Sequence, residues 1–184
     1  MPPLINRDNT CCFTGHRPSK LPWKFQEDAQ QCVALKQTIY DILDALYCSG
    51  IRHFICGMAM GCDMYFAEAV LQLRQAHSNV TLEAATPCQT QADGWPESQR
   101  QRYAVLLHQC DYTTLLQKDY TKDCMLRRNR YMIDHASVLI AVYDGTTGGT
   151  MQTIHYAKKR QLEIIQLDPG FLPEKQSVAT RGLP

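Results

Sequence analysis

Residues 138–150, VLIAVYDGTTGGT, constrain this chain more than any other stretch. They open with an unbroken apolar run, Val138 to Tyr143, rich in β-branched residues. Such a run, closed by turn residues, predicts a strand buried on both faces. Asp144-Gly145 ends it, a turn carrying Gly148, Gly149 and Thr150 follows, and helical periodicity is expected over 151–160. Strand, glycine turn and helix start, in that order, aim free backbone N–H groups and the positive helix end at one point. A phosphate-bearing ligand is the expected occupant. A tight connection whose glycines only supply positive φ is the alternative that this turn alone leaves open.

The same design recurs along the chain. Apolar runs predict strands at 11–14, 52–56, 80–86, 112–116 and 163–167, separated by helices expected over 27–48, 62–76, 96–109 and 123–135, the third with Pro96 in first position. Strands alternating with helices of this length imply an α/β domain: a mostly parallel sheet of about six strands with helices on both faces. Right-handed crossovers then gather the strand–helix turns along the carboxyl edge of the sheet. Three of those turns carry ligand-type residues: Gly15-His16-Arg17, then Gly57-Met58-Ala59 with Gly61 and Asp63, and finally Asp144 to Thr150. On one rim they would form a crevice for a nucleotide-like ligand.

Composition narrows the class of function. The length of 184 residues fits one domain, expected over 1–169 with a loosely ordered tail over 170–184, and 45% apolar with 20% charged residues is ordinary for a globular protein. The net charge of +1 and the lack of a long basic, aromatic-interleaved strip argue against nucleic acid as the partner. No apolar run is long enough for a membrane span and no leader is visible, so the expected compartment is the cytoplasm. Nine cysteines are odd in number, contain no C-x-x-C pair and fall largely in apolar runs, so they are expected to be reduced and structural. No metal site and no cofactor are expected.

Taken together, Thr14-Gly15-His16-Arg17, Gly57-Met58-Ala59-x-Gly61-x-Asp63 with Ala67-Glu68, Arg128-Asn129 with Met132-x-Asp134, and Tyr143-Asp144-Gly145-x-x-Gly148-Gly149-Thr150 closely resemble the YpsA family of the SLOG superfamily. The resemblance covers about 14–167 and implies a Rossmann-like domain that binds a nucleotide or nucleotide-derived ligand. The superfamily also includes the Lonely Guy phosphoribohydrolases and the DNA-processing protein that loads recombinase on single strands. In the phosphoribohydrolases an arginine before the organising strand pairs with glutamates after the glycine-threonine turn. Arg128 matches that arginine, but Gln152 and Thr153 stand at the glutamate positions and neither is a carboxylate. Related folds often pair as dimers, so a homodimer is among the expected assemblies.

Individual residues carry competing roles. Arg17 offers a planar fork for phosphate, or is a surface arginine fixed by a carboxylate such as Asp144. His16 beside it contacts ligand or caps backbone. Gly57, Gly61, Gly148 and Gly149 allow close approach, and Thr150 adds a hydroxyl. Asp63 and Asp144 would accept ribose hydroxyls or act as a general base, against helix capping and turn formation. Glu68 would reach the rim or form a surface salt bridge. Among Arg127, Arg128 and Arg130 only Arg128 is assigned to the site, with Asn129 as a hydrogen-bonding partner. Trp23 and Trp95 would stack on a base, or serve as hydrophobic plugs or oligomer contacts. The expected function is binding of a nucleotide-derived small molecule as a sensor or adaptor. The alternative is an N-glycosidase or phosphoribohydrolase-like enzyme that cleaves an N-glycosidic or phosphate bond in such a ligand, with Asp63, Glu68, Asp144 and Arg128 as the catalytic candidates.

Overall fold

A computed structural model describes residues 5–171. The strands are β1 (Thr10–Gly15), β2 (His53–Cys56), β3 (Thr81–Thr86), β4 (Tyr112–Leu115), β5 (Val138–Val142) and β6 (Glu163–Leu167). Between them run α1 (Gln30–Cys48), α2 (Cys62–Ala76), α3 (Glu97–Gln109), α4 (Cys124–Asp134) and α5 (Gly149–Lys159). The six strands form one sheet in the order β4-β3-β2-β1-β5-β6, every pair parallel. Among the described residues the fold is the Rossmann-like α/β architecture expected from the alternation.

Alternation along β1 explains how the sheet is covered. Cys11 and Phe13 point to one face, where α1, α2 and α3 contribute Leu35, Ile39, Phe66, Val70 and Leu106. Cys12 points to the other, where α4 and α5 supply Met132, Ile133, Ile154 and Ala157. Because both faces are buried, the centre of β1 (Cys11–Phe13) and all of β5 carry no polar residues, which is why both read as apolar runs. Phe13 stacks on Phe66 with ring centroids 4.6 Å apart, fixing α2 against the sheet centre.

The chain builds outward from β1 through β2 and β3 to β4, then returns through α4 to place β5 on the other side of β1. Winding therefore reverses between β1 and β5, leaving a crevice beyond their carboxyl ends. The loops after β2, β1 and β5 lie side by side around it.

Several boundaries differ from expectation for local reasons. α1 starts at Gln30, not Glu27, because Glu27 is tied to Lys36 and Arg102 instead of entering the helix. Pro96 caps α3 from an extended conformation and lies just outside its first turn. α5 starts at Gly149, two residues earlier than its periodicity indicates, so the glycine turn is partly helix. Trp23 is buried in the core, its indole N–H 3.4 Å from the Tyr65 hydroxyl, and Trp95 packs edge-on against Tyr103. Trp23 is thus a plug within the core, and Trp95 packs half-buried beside it. All nine cysteines are free thiols, and burial pushes those of Cys11, Cys12, Cys56 and Cys62 upward. Among the described residues no helix is long and apolar enough to cross a membrane, and no cluster of side chains is arranged to hold a metal ion. The tail beyond residue 171 lies outside the described residues.

Candidate functional site

A cavity of about 220 Å³ opens at the winding reversal. Gly15 at the end of β1 with His16 and Arg17 after it, Ala59 after β2, Asp63 in the first turn of α2, and Gly149 and Thr150 at the start of α5 all line it. Its floor comes from α4, which contributes Met125, Arg128, Asn129 and Met132. Ser19 and Lys20, on a short 3₁₀ turn after β1, complete the rim.

The two glycines after β2 serve packing within the protein. A Cβ on Gly57 would land on the guanidinium of Arg128, and one on Gly61 would sit 2.8 Å from Pro18 Cδ. Gly61 also has φ +86°, a conformation that side chains resist. Its neighbour Cys62 donates its amide to the His16 carbonyl at 3.3 Å, so this turn clasps the loop after β1. Between the glycines, Met58 is buried with φ 55°. Gln91 holds that unusual backbone by donating its amide to the carbonyls of Gly57 (3.0 Å) and Met58 (3.1 Å).

After β5, Asp144 organises the turn. Its Oδ1 accepts the Thr146 amide (3.0 Å) and hydroxyl (2.7 Å) and lies 2.7 Å from His16 Nε2. Burial raises this carboxyl, but those hydrogen bonds outweigh it and bring Asp144 down to about 2. The carboxylate therefore holds His16, not Arg17 as one reading of the sequence proposed. Gly145 (φ +89°) and Gly148 (φ +153°) shape the bend but lie outside the cavity lining. Lys20 reaches across to donate to the Thr147 carbonyl at 2.9 Å, tying the first loop to the third. Among the described residues no side chain caps α5, so the amides of its first turn precede the first helical bond, Gln152 N–H to Gly148 O at 3.1 Å.

Charge in the cavity is mostly positive. Arg17 is exposed at the rim and makes no ion pair among the described residues. Arg128 is only 5% exposed, and its partners are the Gly57 carbonyl, the Asn129 side-chain oxygen at 2.7 Å and the Met125 sulfur at 3.9 Å. Burial lowers its affinity for a proton, and the field of Asp63 partly restores it. Asp63 is the one carboxylate in the lining; it accepts the Ala59 amide at 3.1 Å, and burial pushes it up against the pull of Arg128.

Glu68 is not brought to the cavity. It faces α3, where Arg102 grips it with two hydrogen bonds of 2.7 and 2.8 Å. Arg127 pairs with Asp123 at 2.7 Å and Arg130 lies over the Tyr156 ring, both away from the site. The sequence reading missed Ser19, Lys20, Gln91, Met125, Met132 and the use made of Thr153. Lys20 falls three residues past the recognisable Gly-His-Arg turn, and Gln91 sits in a polar loop without a pattern. Nothing local distinguishes either of them.

The chain matches the YpsA family model, described as the YspA SLOG family, over residues 11–169. It is 29% identical over 152 residues to the SPbeta prophage-derived protein YoqJ of Bacillus subtilis, covering 74% of this chain and 89% of that one. A UPF0398 protein of Bacillus thuringiensis is 27% identical over 161 residues, covering 86% and 87%. Among solved structures, DNA processing protein A of Helicobacter pylori superposes with a TM-score of 0.59 at 18% identity, over 91% of this chain and 66% of that one. The Streptococcus pneumoniae counterpart gives 0.56 at 14%, over 85% and 49%, so this chain spans about half to two thirds of those larger proteins and shares their fold. By the family match over most of its length, the chain belongs to the YpsA family of the SLOG superfamily.

Proposed function

We propose that this protein binds a nucleotide or nucleotide-derived small molecule through its phosphate, in the cavity between β1, β2 and β5, as a cytoplasmic sensor or adaptor. One observation carries the reading. Among the described residues Arg128 is a buried cation with no carboxylate in ion-pair contact, at the floor of an open cavity where buried Asp63 acts on it only through its field. A buried charge that is only partly compensated is costly, and an anion entering the cavity offsets that cost. Arg17, Lys20 and the uncapped start of α5 place further donors around the same space.

Family membership supports a nucleotide-type ligand, since the superfamily is built on such sites. The hydrolase alternative is weaker on these residues. Glu68 is held by Arg102, Asp144 is committed to Thr146 and His16, and Asp63 is buried against Arg128.

Calorimetric titration with AMP, ADP-ribose and adenosine tests the proposal. AMP and ADP-ribose are expected to bind, and adenosine at least about tenfold more weakly, the loss of roughly 1.4 kcal/mol of phosphate contact. Chromatography of the same mixtures is expected to show no free base. The Helicobacter pylori neighbour is described as binding single-stranded DNA, so an oligothymidylate arm is included. Tighter binding of the oligonucleotide than of AMP, with a steep salt dependence, would overturn the small-molecule reading.

A further inference from the structure

Among the described residues no carboxylate pairs with the Arg128 guanidinium at contact distance, yet it is held at both ends. Nη1 donates to the Gly57 carbonyl, which also accepts the Gln91 amide at 3.0 Å, so both lone pairs of that oxygen are used. Nε donates to Asn129 Oδ1 at 2.7 Å. Asn129 in turn donates its Nδ2 to Thr153 Oγ1 at 2.9 Å, and the Thr153 hydroxyl donates to the Gly149 carbonyl at 2.8 Å. Every donor and acceptor along this line is matched in direction. The line runs from the first turn of α5, across α4, to the loop after β2.

We infer that Asn129 and Thr153 are positioning residues for the anion site, a neutral relay that fixes the Arg128 guanidinium and leaves its Nη2 edge for the ligand. This inference rests on the binding reading above. Nη2 lies beside the sulfur of Met125, a cavity-lining residue and a weak acceptor, so this edge keeps its hydrogen-bonding capacity. Asn129 spends its oxygen on Arg128 and one amide hydrogen on Thr153, so the relay holds its side chain in place. Thr153 is buried and outside the cavity lining, so its hydroxyl acts only through Asn129. A carboxylate in their place would neutralise the arginine; the neutral relay orients it and keeps its charge available. The ligand group facing Arg128 is therefore anionic, a phosphate oxygen, and not a sugar hydroxyl.

Two readouts test this, one of them independent of any ligand. The first is solvent exchange of the Arg128 Nε–H by arginine-selective nitrogen NMR, with the signal identified by its loss in Arg128→Lys. Thr153→Val is expected to speed that exchange at least about tenfold, the loss of one ordering hydrogen bond, while Thr153→Ser, which keeps the hydroxyl, leaves it near the native rate. The second is AMP affinity, expected to fall about tenfold in Thr153→Val and to recover in Thr153→Ser, with adenosine affinity unchanged. Unchanged exchange and AMP affinity in Thr153→Val would overturn the relay, as would equal losses in both variants, which would mark a packing effect. Hydroxyl-dependent exchange in a protein that fails to bind AMP would leave the relay standing and sink the nucleotide reading alone.

Discussion

The Arg128 guanidinium fills the space that a side chain on Gly57 would need, and it donates to that residue's own carbonyl. Gly57 thus serves the cavity indirectly, by admitting a cation at its floor. Gly57→Ala is expected to displace the guanidinium, lowering stability by about 1–3 kcal/mol as overpacking does. AMP affinity should fall with it. Gly57→Ala combined with Arg128→Ala should recover stability relative to Gly57→Ala alone without recovering binding, because the two residues compete for one volume. Urea unfolding of the three variants beside AMP titration checks both halves.

Gly61 has a different task. Its φ of +86° and the 2.8 Å approach to Pro18 Cδ let the turn after β2 close on the turn after β1. Gly61→Ala is expected to cost roughly 1–3 kcal/mol through backbone strain and the lost fit. Hydrogen exchange should report the opening locally, at the Cys62 amide that donates to the His16 carbonyl.

Acid should loosen the loop after β5 before the sheet. The folded-state carboxyl of Asp144 lies at about 2, below its ordinary value, so its contribution to stability is full above that ordinary value. That contribution disappears as pH falls from about 4 towards 2. Asp144→Asn is expected to flatten the dependence of the urea midpoint on pH over that window. Equal slopes in the native protein and the variant would show that the hydrogen bonds to Oδ1 do not favour the charged form.

The sheet and the convergence of three turns were legible because they depend on patterns that survive in one dimension: apolar runs, helical spacing and glycine at strand ends. β5 ends at Val142, within one residue of its apolar run, because burial on both faces leaves no other reading of that run. Roles inside the cavity were less legible. Arg17 and Asp144 looked like partners by type and by loop, yet Asp144 holds His16, a choice made by the register of β1 on β5, which sets Gly15 opposite Val142. Thr153 read as the loss of a carboxylate, whereas its hydroxyl supports Arg128 through Asn129. Spacing along the chain says which residues are near; it does not say which of several donors meets a given acceptor.

Glu68 separates binding from the hydrolytic alternative. It lies five residues beyond Asp63, and at about 100° per residue that turns it well away from the cavity face of α2. There Arg102 links it to Glu27, whose carboxyl burial would raise but which Arg102 and Lys36 pull below its ordinary value. Glu68→Gln keeps the shape and leaves Arg102 paired with Glu27, so stability should fall by less than about 1 kcal/mol. Arg102→Met leaves two carboxylates facing each other across a half-buried space and should cost more than Glu68→Gln. Neither change touches the cavity lining, so AMP affinity should equal that of the native protein in both. Loss of AMP binding, or of any release of base, in Glu68→Gln would return this carboxylate to the site and restore the enzyme reading.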